Sequence, residues 1–169
     1  MWRGNKFIVV EGIDGVGKST VCKALQEIVI SAGYSCEMLY GVPSPYYEIA
    51  QKVPEVPSVY SRYFFYHACN IAVSDMIRGR LRFTNVILDR FAFSTYAYHA
   101  ARGAELSFPV FSEDRLLEPD LSVILTVKDE KIRRCRLSAR SEAPTIDDRE
   151  ERGPGSFIEK LEAAFEQLR

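Results

Sequence analysis

Apolar residues in this chain follow two spacings, short unbroken runs and a three-to-four-residue repeat, and the two alternate. Lys6-Phe7-Ile8-Val9-Val10 is short, apolar and β-branched, as suits a strand buried on both faces. Cys36 to Tyr40, Asn85-Val86-Ile87-Leu88-Asp89 and Leu121 to Val127 read as three more strands. Thr20 to Ala32 carries Val21, Ala24, Leu25, Ile28 and Ala32 at helical spacing and ends at Gly33. Ser58 to Leu81 is rich in aromatic and small apolar residues and predicts a long, well-buried helix. Ala92 to Ala101 and the basic stretch Glu130 to Arg140 predict two more, and Phe157, Leu161, Ala164, Phe165 and Leu168 put one apolar stripe on a last helix. The proline-bearing segment Gly41 to Pro57 predicts a loop with one short helix, and Gly103 to Pro119 is irregular. Ser141 to Gly155 is polar, with Pro144, Gly153, Pro154 and Gly155, and predicts a mobile loop. Strands alternating with helices predict a single α/β domain over residues 1–169, three layers around a parallel sheet of about four strands.

Composition narrows the function classes. At 169 residues the chain has the size of one domain with one core. Lys plus Arg (22) nearly balances Asp plus Glu (23), so global charge gives no reason to expect nucleic-acid or membrane binding. Cys22, Cys36, Cys69 and Cys135 are far apart with no C-x-x-C pair, which predicts reduced thiols in a cytoplasmic protein rather than metal ligands. Met1-Trp2-Arg3-Gly4 leads straight into the first strand, which leaves no room for a signal peptide, and the apolar run near Tyr63 to Val73 is too short to span a bilayer.

The candidate chemistry starts at Gly12-Ile13-Asp14-Gly15-Val16-Gly17-Lys18-Ser19, which fits the phosphate-binding P-loop pattern and sits between a strand and a helix, with Thr20 following. Glycines let such a loop curl until successive N–H groups converge on a polyanion, and the helix macrodipole adds to that field. Lys18 can then reach the β- and γ-phosphates and the Ser19 hydroxyl can ligate Mg²⁺. Parallel sheets place ligands at the carboxyl ends of their strands, so Asp89 and Arg90 should face the same crevice. An acid there can hold Mg²⁺ and an arginine can clamp phosphoryl oxygens.

Phe7 to Thr20 resembles the opening of the thymidylate kinases: an apolar strand, Glu-Gly, a variable residue, Asp-Gly and then Gly-Lys-Ser/Thr. Asp89 to Tyr98 is similar to their Asp-Arg-Tyr…Ser-Ser…Ala-Tyr segment, Pro119-Asp120 to the dipeptide that opens their fourth strand, and Arg134 to Arg140 with Asp148-Arg149-Glu150 to their arginine-bearing lid. The likeness runs from Phe7 to Leu168 and implies a P-loop NTPase fold with a mobile lid near 141–155. It further implies transfer of the γ-phosphoryl group of Mg·ATP to a deoxynucleoside monophosphate, dTMP first. In that scheme Lys18 and the amides of Gly12 to Thr20 hold ATP, Ser19 and Asp89 support the metal, and Arg90 serves the transferring group. Asp14 lies near the acceptor's sugar hydroxyl and phosphate, and Tyr98 against the sugar. Because Gly15-Val16 carries no base, the transition-state cation falls to the lid, to Arg140 and Arg149, with Arg136 next. The resemblance also implies a homodimer, with Ser58 to Leu81 as its contact.

The chain departs from the family in places. His99 stands where members have a glutamine that contacts the base; Gly41-Val42-Pro43-Ser44 lacks their acceptor-phosphate arginine; and Tyr66-His67-Ala68-Cys69-Asn70 lacks another. Phe64, Phe65 and Tyr66 offer a stacking face, Phe65 being the candidate contact. Family members continue with a fifth strand and a last helix that help form the adenine site. These departures leave open a kinase acting on a nucleoside or another small molecule, and a nucleotide-binding regulator without transfer activity.

Overall fold

The computed structural model describes residues 4–106, 115–139 and 156–168. The expected lid at 141–155, with Arg140 and Arg149, lies outside the described residues. Four strands, β1 (Phe7–Glu11), β2 (Cys36–Tyr40), β3 (Asn85–Asp89) and β4 (Leu121–Ile124), form one parallel sheet in the order β2-β3-β1-β4. The helices are α1 (Lys18–Ser31), α2 (Tyr46–Ala50), α3 (Val59–Arg80), α4 (Ala92–Ala101), α5 (Glu130–Ser138) and α6 (Ser156–Glu166).

Side chains alternate across a strand, so β1 and β3 feed two cores. Phe7, Val9, Val86 and Leu88 meet residues of α3, α4 and α6 on one face, while Val10 and Ile87 meet α1 and Cys36 on the other. The register pairs Val10 with both Asp89 and Val123, which brings the carboxyl ends of β1, β3 and β4 to one edge. The functional crevice opens there.

Several boundaries differ from the sequence expectation, each for a tertiary reason. The strand expected over Leu121 to Val127 stops at Ile124. Leu125 N–H still reaches the Glu11 carbonyl at 2.9 Å, but β1 then turns away at Gly12, and nothing remains for β4 to pair with. Helix α1 begins two residues earlier than expected, with Gly17 at its N-cap and a φ of 103° that favours glycine. Its inward face is Val21, Cys22, Leu25 and Val29, whereas Ile28 is 64% exposed. The loop after β2 holds both α2 and a 3₁₀ turn at Val53–Glu55. Helix α3, capped by the Ser58 hydroxyl accepting from Ser61 N–H at 3.2 Å, is buried on one side only. His67, Asn70, Val73 and Ile77 face inward, while Tyr60, Phe64 and Met76 are exposed. Helix α5 ends at Ser138 rather than at residue 140. On α6, Ile158 joins the expected stripe as a buried residue and Phe157 is half-buried. No helix among the described residues is long and apolar enough to cross a membrane.

Candidate functional site

The turn between β1 and α1 is one wall of a cavity of about 1310 Å³ that Asp14 to Val21 line without a break. Gly12 is required by close approach as well as by conformation: its φ is 135° and a Cβ there would lie 2.5 Å from the Leu125 carbonyl oxygen. Lys18 is only 5% exposed; its ammonium donates to the Ile13 carbonyl at 2.9 Å and lies 3.5 Å from Asp14. Ile13 itself belongs to the core, so its contribution to the loop is that carbonyl.

The second wall comes from the end of β3. The Ser19 hydroxyl donates to Asp89 at 2.6 Å, which joins the start of α1 to the end of β3. Arg90, the next residue, has a φ of 70°, a left-handed conformation that non-glycine residues rarely adopt. Its surroundings enforce it. Its N–H donates to the Val10 carbonyl at 3.1 Å, and Gly41 packs so near that a Cβ there would lie 2.5 Å from the Arg90 carbonyl oxygen. The guanidinium is thereby delivered to an ion pair with Asp14, to Ser94 Oγ at 3.3 Å and to the Tyr98 hydroxyl at 3.2 Å.

Glu11 organises this corner from behind and carries no role in the sequence reading. It is 1% exposed, and its carboxylate accepts from the N–H groups of Phe91, Phe93 and Ser94 at 3.0, 3.1 and 3.2 Å and from the Ser94 hydroxyl. Phe91 is the N-cap of α4 and has no side-chain cap, so Glu11 caps that helix from a neighbouring strand. Burial pushes its carboxyl pKa up, against these hydrogen bonds and the charge of Arg90. The signal that could have found it is the acid itself: a carboxylate ending a buried strand needs donors waiting for it.

Helix α5 holds the P-loop from outside. Arg133, fully buried, forks onto Glu130 with two 2.7 Å bonds and donates to the Asp14 carbonyl at 3.0 Å. The Arg133 guanidinium, with Arg134 beside it, holds the Glu130 carboxyl down to about 2. Arg136 donates to the carbonyls of Gly15 and Val16 at 3.3 and 3.0 Å and lines the cavity. Carbonyls held from outside in this way leave the loop's N–H groups to the cavity side.

At the far end lie Tyr66, Asn70, Thr95, Tyr98 and His99. Phe65 is not among the cavity-lining residues; its ring packs edge-on against Tyr46 and Tyr66 at 6.5 and 5.3 Å. Tyr66 takes the place expected of Phe65. His99, 2% exposed, has Nδ1 at 2.6 Å from the Thr95 carbonyl, and burial pushes its pKa down from 6.5 to about 4. Between those values the unfolded chain binds a proton that the folded protein refuses, so stability falls as pH drops from 6.5 toward 4. The full shift is worth on the order of 3 kcal/mol. Replacing His99 with Phe is expected to remove this component, so thermal unfolding of variant and parent should diverge steadily between pH 7 and 4.5. A constant difference in Tm across that range would refute it.

Ser19 and Asp89 put two hard oxygens side by side, and no group of three or more His, Cys, Asp or Glu among the described residues forms a closed metal cage. That donor set suits Mg²⁺, which keeps several waters and takes the rest of its shell from phosphate oxygens. With Lys18, Arg90, Arg102 and Arg136 around it, the cavity can neutralise a polyphosphate at one end and present aromatic rings at the other.

The thymidylate kinase family model matches residues 10–168. Among curated proteins, the chain is 32% identical over 133 residues to a probable thymidylate kinase of Methanococcus vannielii, covering 75% of this chain and 63% of that protein. It is 28% identical over 125 residues to a probable thymidylate kinase of Staphylothermus marinus, covering 72% of this chain and again 63% of the relative. The chain thus spans a little under two thirds of the length of these relatives. Among solved structures, a thymidylate kinase from Candida albicans superposes with a TM-score of 0.70 over 98% of this chain and 78% of that one, at 19% identity, a likeness of fold. The family match covers the P-loop, the Asp89-Arg90 corner and the helices α1, α4 and α5 around them, and on that ground the chain belongs to the thymidylate kinase family.

Proposed function

We propose that this protein is a P-loop nucleotide kinase that moves the γ-phosphoryl group of Mg·ATP to a nucleoside monophosphate, with dTMP the first candidate. One observation carries the reading: the guanidinium of Arg90 is fixed between Asp14 of the P-loop and the Tyr98 hydroxyl, beside the Ser19–Asp89 pair. A cation built into that place bridges the nucleotide end and the aromatic end of one cavity, where a phosphoryl group in transit would sit. Phosphoryl transfer needs little covalent help, so positioning and charge neutralisation suffice. Lys18 and the loop amides orient the donor phosphates, and Arg90 draws charge from the oxygens of the moving group. Ser19 and Asp89 would hold a Mg²⁺ ion, which would supply neutralisation of phosphate charge. An oxygen of the acceptor's phosphate attacks the γ-phosphorus, the bond to the β-phosphate oxygen breaks, and ADP leaves.

A second reading, transfer to an acceptor without a phosphate, is favoured by the wall after β2. There the cavity is bounded by Tyr40, Gly41, Val42 and Tyr47, with no cation among them, and Glu48 lines an adjoining recess. One assay separates the readings. Purified protein with Mg·ATP is offered nucleoside monophosphates, nucleosides and simple alcohols, and products are resolved by chromatography. A nucleoside diphosphate is expected. Phosphorylated nucleosides alone would establish the second reading, and ATP binding without turnover of any acceptor would establish a regulator instead.

A further inference from the structure

Beneath the P-loop lies a buried charge that the docking of its own helix does not account for. Helix α5 starts on a cap of its own, the Asp129 carboxylate accepting from Lys131 N–H at 2.8 Å, and it packs inward through Leu137, a buried apolar side chain. Glu130 does not call for an interior partner either, because Arg134, on the exposed side of the helix, meets the same carboxylate at 3.0 Å. Arg133 nevertheless lies fully buried, which is costly for a guanidinium and calls for a reason.

That reason is one backbone carbonyl. Arg133 Nη1 donates to the Asp14 carbonyl at 3.0 Å, and the rest of the residue floors the turn that follows. A Cβ on Gly15 would lie 2.9 Å from Arg133 Cγ and 2.9 Å from its carbonyl oxygen. Gly15 has a φ of 85° and no side chain to restrain it, so the peptide that joins Asp14 to Gly15 needs a hold from outside the loop. The carboxylate of the same Asp14 forms the ion pair with Arg90 and lies 3.5 Å from Lys18. Two cations of the cavity thus share one acid in front, and Arg133 grips the backbone of that acid from behind. The bonds of Arg90 to the Gly12 carbonyl, Ser94 Oγ and the Tyr98 hydroxyl, at 3.4, 3.3 and 3.2 Å, are at the long end of the range, so its seat follows the position of Asp14.

We propose that Arg133 is a positioning residue for phosphoryl transfer: it fixes Asp14 by its carbonyl, and through the Asp14 carboxylate it fixes the Arg90 guanidinium where the moving group passes. This rests on the kinase reading above and adds a control on it that lies outside the cavity, on α5. The side chain does not line the cavity, so its removal acts on the rate and not on the binding of either substrate.

The test removes the buried pair together, in Glu130→Gln/Arg133→Leu, so that the carboxylate is not left without its fork. The double variant is expected to melt close to the parent, to lose kcat by about tenfold to a hundredfold, and to keep KM for ATP and for the acceptor within about threefold. Arg133→Met keeps the stem under Gly15 but not the donor; the same split is expected of it, and it serves if the double variant does not fold. Arg133→Lys, whose ammonium can still donate to the Asp14 carbonyl, should recover most of the rate. Parental kcat in a folded variant without the donor, or a loss carried by KM alone, would overturn the inference while leaving the kinase reading intact. Unfolding of both donor-free variants would confine Arg133 to the fold and overturn it as well. A parent protein that phosphorylates no acceptor would overturn both readings.

Discussion

Lys18→Ala is expected to lower kcat for phosphoryl transfer by on the order of 10³-fold, the range seen when a preorganised charge is removed from a developing one. The size of the effect follows from burial. Lys18 is 5% exposed, so its ammonium acts through little water, and no other cation reaches out from the P-loop itself, because Gly15 and Val16 carry none. The fold should tolerate the loss. The ammonium donates to the Ile13 carbonyl at 2.9 Å and lies 3.5 Å from Asp14, which keeps its ion pair with Arg90. Loss of the bond to Ile13 costs about 1 kcal/mol. Single-turnover kinetics beside a thermal melt decide the matter. A variant with unchanged Tm and a rate within tenfold of the parent would remove Lys18 from the chemistry.

What could be read from the chain alone divides along a physical line. The P-loop, the acid that closes β3 and the order of elements are local: glycine spacing, a β-branched run or an acid closing a strand say what they are without knowing their neighbours. The errors lie where a neighbour decides. Phe65 and Tyr66 are adjacent aromatics on α3, and only the packing of α4 selects Tyr66 for the cavity. Ile28 and Val29 pose the same problem of helix phase on α1, and the sheet selects Val29. The end of β4 is set by where β1 turns away, not by its own apolar run, which continues to Val127. Arg133 shows the strongest override. A charge in a basic helix reads as solvated surface, yet this one is fully buried because a carbonyl 119 residues earlier, at Asp14, and the carboxylate of Glu130 receive it. The resemblance gave Asp14 and Arg90 separate roles, at the acceptor and at the transferring group; the ion pair between them emerges only from the structure.

Glu11→Ala is expected to destabilise the protein by about 3–5 kcal/mol, the cost of leaving several buried donors unmet. For a domain of this length that is a fall in Tm of roughly 10 °C. The donors are the N–H groups of Phe91, Phe93 and Ser94 and the Ser94 hydroxyl, all met by a carboxylate that is 1% exposed. Glu11→Gln keeps the volume but turns an amide NH₂ toward groups that themselves donate, so it should fall between the parent and the alanine variant. The two variants also separate support of the fold from support of the site. Arg90 reaches Ser94 Oγ at 3.3 Å, and Ser94 is anchored by Glu11, so the carboxylate fixes the seat of the guanidinium as well as the start of α4. Measured well below its Tm, Glu11→Gln should therefore lose kcat while its KM for ATP stays near that of the parent, since the P-loop is untouched. A folded Glu11→Gln with parental kcat would confine Glu11 to the fold. A Glu11→Ala variant melting within 2 °C of the parent would show that α4 does not depend on this cap at all.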